Sequence, residues 1–305
     1  MNQPNRILWV DIAKGIGIIL VVSGHMIDGS SKLGMYIWSF HMPLFFFLSG
    51  LFMSSTLSLQ SVKKRARQLL LPCFIFTVIS CAVQYFILGN TLDSLSHSLP
   101  VPLWFLTTLF LADLMSRCLS PVLGIPLLIL FCLIGSMLCQ YFDYGTVYSL
   151  SSVFPASAFY LIGYTYRSRK MPLGGGNSSV LLLVTFLLLP VLVISFNNHT
   201  NLDSNRISLI GYIIALLGIV QTILVSKLIS KTKIMSTTLS YLGRNSLVIM
   251  LTHFIYLQLY CHFVHEFSPF VIYKALQALV VFGLSIASIH AFQGRLAILV
   301  GKNLR

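Results

Sequence analysis

Charge is scarce in this chain of 305 residues: only 9% are Asp, Glu, Lys or Arg, and acids number seven. A water-soluble domain carries about 25% charged residues. With 56% of its residues apolar, this chain could not cover itself with polar surface, which excludes a soluble enzyme and a disordered tail. Cysteines are few as well. Cys73, Cys81, Cys118, Cys132, Cys139 and Cys261 form no CxxC or other metal-ligand pattern. Most lie in apolar runs, which leaves them as small core residues, with no metal site expected. Runs alternating between apolar and polar, which a membrane β-barrel requires, are missing too.

What is present instead is long, continuous apolar sequence, as in residues 180–196. Only helices and closed barrels satisfy every backbone group in lipid, so the expected fold is all-α, a polytopic transmembrane helix bundle. Apolar runs of near-spanning length fall at 7–27, 36–54, 69–89, 101–117, 121–140, 147–166, 180–197, 207–229, 246–264 and 270–293, giving about ten spans in one integral-membrane domain over 1–305. The first run keeps Asp11 and Lys14 and lacks a small-x-small cleavage site, so it reads as a retained span.

The net charge of +13 does not require nucleic acid, because cytoplasmic loops of membrane proteins collect Lys and Arg. Alternating the loops places Lys63, Lys64, Arg65, Arg67, Arg117, Arg167, Arg169, Lys170, Lys227, Lys231, Lys233 and Arg244 on one side, with Arg6, Lys14, Arg295, Lys302 and Arg305. The other side keeps Lys32, Arg206 and Lys274 and collects Asp28, Asp93, Asp143, Asp203 and Glu266. The positive-inside rule then predicts cytoplasmic N- and C-termini.

Ionisable residues inside a membrane are functional candidates, since each costs roughly 2.5–3.5 kcal/mol to insert. The first span holds Asp11, Lys14 and His25. At about 100° per residue, Lys14 and His25 differ by about 20° net, so they share one stripe, about 16 Å apart along the axis. His41 opens the second span at a depth expected to resemble that of His25, and His253 lies mid-way along the ninth; three imidazoles are expected to converge. A buried imidazole takes a proton from a hydroxyl as that oxygen attacks a thioester. His25 is the first choice for that base. Each residue also has a plainer reading. The histidines serve as packing hydrogen-bonders, Asp11 neutralises Lys14, and Lys14 snorkels to the interface. The run Lys63-Lys64-Arg65-Ala66-Arg67 binds phosphates or simply anchors headgroups. Trp104 is an ordinary interface aromatic.

Three patterns carry a resemblance. They are Asp11-x-x-Lys14-Gly15 with His25; Phe40-His41-Met42-Pro43 leading into Phe46-Phe47-Leu48-Ser49-Gly50; and Lys64-x-x-Arg67 followed by Leu71-Pro72. Weaker echoes are Leu103-Trp104-Phe105-Leu106, Leu161-Ile162-Gly163-Tyr164, and Leu242-Gly243-Arg244-Asn245-Ser246-Leu247 before His253. On these residues the chain resembles the acyltransferase 3 family of membrane O-acyltransferases, in its fucose 4-O-acetylase-like branch. The resemblance implies about ten helices and transfer of an acetyl group from acetyl-CoA to a carbohydrate hydroxyl. It implies functional roles for Lys14, where the family often has Arg, and for His25. No permanently bound cofactor is expected. The expected partners are acetyl-CoA, a surface polysaccharide or its lipid-linked precursor, and membrane lipid.

In this reading His25 and His41 are the catalytic candidates. Lys14, Asp11, Lys64, Arg65 and Arg67 hold the donor. Ser49, Trp104, Asn245 and His253 are supports, with Ser23, Ser49 and Asn245 as conceivable donors to the thioester oxygen. The rivals are a transporter or flippase and a non-catalytic partner in glycan export. The first predicts an acidic relay across the membrane and the second predicts dispensable histidines.

Overall fold

The computed structural model describes residues 6–54, 56–91, 103–142, 151–171, 177–196, 207–267, 269–292 and 294–301. Among them the regular structure is helical throughout, in twelve α-helices and a closing 3₁₀ segment. Seven helices are long and apolar enough to cross a membrane: α1 (Leu8–Met26), α4 (Leu59–Phe86), α5 (Trp104–Leu123), α8 (Ser178–Ser195), α9 (Leu209–Ile229), α11 (Ser246–Phe263) and α12 (Phe270–Ala291). The remaining helices are shorter: α2 (Lys32–Trp38), α3 (His41–Gly50), α6 (Ile125–Tyr141), α7 (Val153–Ser168) and α10 (Lys233–Arg244). The chain is a polytopic helical membrane protein. Helix α8 presents Leu183, Phe186, Leu187 and Val191 outward, as a lipid-facing helix does.

The apolar run 36–54, expected as one span, is two helices. α2 ends at Trp38, Phe40 leaves helical geometry (φ −144°, ψ −11°), and α3 starts at His41. The cause is Pro43: a helix running through it would press its ring on the Ser39 carbonyl, and its missing N–H is harmless only in a first turn. The turn before α2 is pinned by Asp28, which accepts from Ser30 N (2.9 Å), and by Ser31, which caps Gly34 N (3.0 Å). Gly34 has no room for a side chain, because a Cβ would overlap the Asp28 carbonyl.

Two further expectations about loops are corrected. α4 begins at Leu59, where Ser58 and Ser61 cap each other reciprocally, so Lys63, Lys64, Arg65 and Arg67 are helical and not in a loop. Twenty-eight residues make about 42 Å of helix, longer than the roughly 30 Å hydrocarbon layer, so α4 has length to spare for this basic start. Arg117 does not open a loop either. It lies inside α5, which continues to Leu123 and stops at Gly124 (φ +72°).

The helices group into two compact units, residues 1–57 with 111–244, and residues 58–110 with 245–305. In the first unit, glycines bring helix backbones together. Gly15 of α1 meets the Leu239 carbonyl of α10, and Gly243 of α10 meets the Asp11 carbonyl of α1. Gly50 of α3 abuts the Tyr160 carbonyl of α7, and Gly163 of α7 abuts the Phe47 carbonyl. Between these helices lie the buried Ile12, Leu44, Phe46, Leu48 and Phe159. In the second unit, α4 packs against α11 and the 3₁₀ segment Gly294–Val300, and α11 packs on α12. Phe76 and Phe292 meet there in a tilted contact at 5.5 Å between ring centroids.

Candidate functional site

His25 is in the last turn of α1 and half-buried, and His41 is the first residue of α3 and fully buried. They meet through a residue that the sequence reading left aside. The Trp38 indole makes an edge contact with His25 (5.6 Å between centroids, 83°) and another with His41 (5.5 Å, 77°). Trp38 is itself tethered, its Nε1–H donating to the Gly24 carbonyl at 3.2 Å. The break between α2 and α3 therefore sets one indole between two imidazoles. His41 Nδ1 lies 2.9 Å from the Ile37 carbonyl, which can only accept. Nδ1 therefore carries the proton, and Nε2 holds the lone pair of the neutral ring. Tyr36 anchors α2 from its other side, donating to Gln221 Oε1 on α9 at 2.6 Å.

Lys14, eleven residues before His25 on the same helix, is half-buried with its ammonium 5.5 Å from the centroid of Phe52, just past α3. Arg167, near the end of α7, reaches the same ring at 4.9 Å and donates to the Leu51 carbonyl at 2.9 Å. On the neighbouring residue of α7, the Tyr166 hydroxyl accepts from Lys227 Nζ at 3.5 Å. That lysine also lies over Trp9. Asp11 is half-buried one turn before Lys14, and its carbonyl is the one that Gly243 touches. This end of the first unit thus combines three cations from three helices with three aromatic rings. Ser23 and Ser49 are half-buried on α1 and α3.

The other expected residues belong to the second unit. Lys64 and Arg67 are exposed on the first turns of α4, and Arg65 is half-buried beside them. Trp104 starts α5, in edge contact with Phe105 (6.5 Å). Asn245 precedes α11, and its carbonyl accepts from Ile249 N. His253 is completely buried on α11, its Nδ1–H donating to the Ile249 carbonyl at 2.9 Å. Of the three imidazoles expected to converge, His25 and His41 are brought together within the first unit.

The family model described as an acyltransferase domain matches residues 7–290. The chain belongs to the acyltransferase 3 family. Nodulation protein NolL of Mesorhizobium japonicum is 35% identical over 136 residues, 38% of this chain and 36% of that protein. Nodulation protein NolL of Sinorhizobium fredii is 34% identical over 133 residues, 37% of this chain and 36% of that protein. The match thus spans little more than a third of these curated relatives. No solved structure matches.

The chain also contains a buried polar network that hydropathy does not reveal. Asp113 and Arg117, one turn apart on α5, are each 4% exposed and form an ion pair at 2.5 Å. The Tyr160 hydroxyl of α7 donates to the other Asp113 oxygen at 2.5 Å. The i,i+4 spacing was the available sign of this pair. For Trp38 the sign was its position three residues before His41. Arg167 had none beyond its charge.

Proposed function

We propose that this acyltransferase is an inner-membrane O-acetyltransferase with about ten spans and both termini in the cytoplasm. It moves an acetyl group from cytoplasmic acetyl-CoA to a hydroxyl of a surface polysaccharide or its lipid-linked precursor. The observation that carries the proposal is the pair of imidazoles held on either side of Trp38, in a chain of this family.

In the proposed mechanism His25 is the general base. Its neutral ring takes the proton as the acceptor oxygen attacks the thioester carbonyl carbon. The tetrahedral intermediate collapses with cleavage of the carbon–sulfur bond. The imidazolium returns the proton to the departing sulfur, giving the ester and free thiol. His41, with Nδ1–H committed to a carbonyl, keeps Nε2 as its only acceptor and serves as second base or as orienter. Lys14 lies on the helix that carries His25, suited to the phosphates of the donor. Lys64, Arg65 and Arg67 offer a second cationic surface for the same chemistry or for lipid headgroups. Ser23 and Ser49 are half-buried hydroxyls available to the developing oxyanion. The buried acid Asp113 is tied to Arg117 and Tyr160 in a local network.

The test is deletion of the gene in its host, measurement of acetyl esters on the surface glycan, and complementation. His25→Ala, produced at the wild-type level, is expected to lose 10²–10⁴-fold in ester formation. Full restoration by that variant overturns His25 as the base. Unchanged ester content in the deletion strain overturns the enzyme assignment.

A further inference from the structure

A groove of about 410 Å³ lies where the end of α3 meets the end of α7, lined by Leu51, Phe52, Met53, Tyr164, Arg167 and Ser168. Its size falls within the roughly 300–1,000 Å³ typical of small-ligand sites. None of its described lining residues is acidic. The aromatic rings and the Met53 thioether offer flat, polarizable walls, and the guanidinium of Arg167 is fixed in place by the Leu51 carbonyl and the Phe52 face. Lys14 brings a second cation to Phe52 from α1. Planar faces beside a bidentate cation and a point charge suit a purine ring carrying phosphate groups.

We infer that this groove holds the adenine nucleotide end of the acyl donor, with Phe52 as the stacking plate and Arg167 and Lys14 on its phosphates. The inference rests on the donor being a coenzyme A thioester, and it assigns recognition to α3 and α7 in addition to α1. It also gives the donor a direction. Lys14 and His25 stand on one helix about 16 Å apart, so an extended pantetheine arm starting at the groove can run along α1 toward the imidazoles. A membrane anchor for a lipid headgroup offers the same cation–phosphate chemistry. However, such an anchor needs neither a concave wall nor an arginine held by a backbone carbonyl.

The experiment uses the full chain in detergent micelles, with adenosine 3′,5′-bisphosphate as the binding probe. It also uses inverted host membrane vesicles, which supply the natural acceptor, with acetyl-CoA and S-acetylpantetheine as alternative donors. Phe52→Leu and Arg167→Gln are compared with wild type; Phe52 is 49% exposed, so its replacement does not endanger folding. Each variant is expected to weaken bisphosphate binding about tenfold and to lower by about tenfold the kcat/KM preference for acetyl-CoA over S-acetylpantetheine. Unchanged bisphosphate binding and unchanged donor preference in both variants overturn the inference. So does displacement of the bisphosphate by phosphatidylglycerol at equal concentration, which identifies a headgroup site. If the vesicles transfer acetyl from neither donor but the bisphosphate binds in an Arg167-dependent way, acetyl transfer from these donors fails and the nucleotide groove stands.

Discussion

Replacing Asp113 by Asn tests the buried network most severely. Asp113 and Arg117 are each 4% exposed, so removing the carboxylate charge strands a guanidinium out of water. Breaking one side of a buried pair typically destabilises by about 3–5 kcal/mol. The same loss is expected for Arg117→Met, which strands the carboxylate. Replacing both partners removes the stranded charge, and such replacement is often neutral. What remains is the weakened bond from Tyr160, about 1 kcal/mol, with some lost packing. Asp113→Asn/Arg117→Met should therefore lose about 2 kcal/mol, far less than the two single changes together, with a coupling of about 4 kcal/mol or more. Unfolding by SDS in mixed micelles, followed through the fluorescence of the three tryptophans, measures all four proteins. Additive single losses, or an Asp113→Asn protein within 1 kcal/mol of wild type, would refute the view that these charges are dry and mutually dependent. The consequence reaches the site, because Tyr160 also supplies the carbonyl on which Gly50 of α3 rests. The singly substituted proteins should lose acetylation along with stability.

Two other outcomes are expected. Trp38→Leu removes two edge contacts with imidazoles and the tether to Gly24. At about 0.5–1.5 kcal/mol per aromatic contact and about 1 for the hydrogen bond, that amounts to a kcat loss on the order of 10²-fold. The KM for acetyl-CoA should stay within twofold, Trp38→Phe should be intermediate, and steady-state kinetics in membrane vesicles would show a purely structural role if KM and kcat moved together. Lys170 ends α7 at φ +48°, with Lys170 N on the Arg167 carbonyl and Met171 N on the Tyr166 carbonyl at 3.1 Å each. Glycine relieves that left-handed conformation, so Lys170→Gly should gain about 1 kcal/mol in thermal unfolding, and a loss would contradict the turn.

The helical bundle was legible because membrane spans are read from composition, and composition barely changes when packing details do. The first two motifs led to His25, His41 and Lys14 because a histidine or lysine stands out in an apolar run. Errors arose where a local rule met a tertiary partner. Arg117 resembled the end of a span, since hydropathy counts its charge and ignores the carboxylate one turn away. Residues 233–244 looked like a basic loop, because a short amphipathic helix has no apolar run. What holds that helix to α1 is backbone contact at Gly15 and Gly243, where the informative feature is an absent side chain. The break at Ser39–Phe40 was announced by Pro43, but an apolar run of suitable length outweighed it.

The break itself links the fold to the chemistry. A continuous helix over 36–54 would put Trp38 and His41 about 300° apart on its surface, one turn along, with no reason for either to face α1. His41 Nδ1 donates to the Ile37 carbonyl across this break, the same i−4 bond that His253 makes within an unbroken helix, and that bond fixes the tautomer. The same break lets Trp38 bond back to Gly24 and lie against His25. Pro43 therefore does more than interrupt a span: the proline that prevents one helix lets two histidines share an indole. A substitution that restores helical continuity there should separate the imidazoles even though it adds helix propensity, and structural stability and acyl transfer should then move in opposite directions.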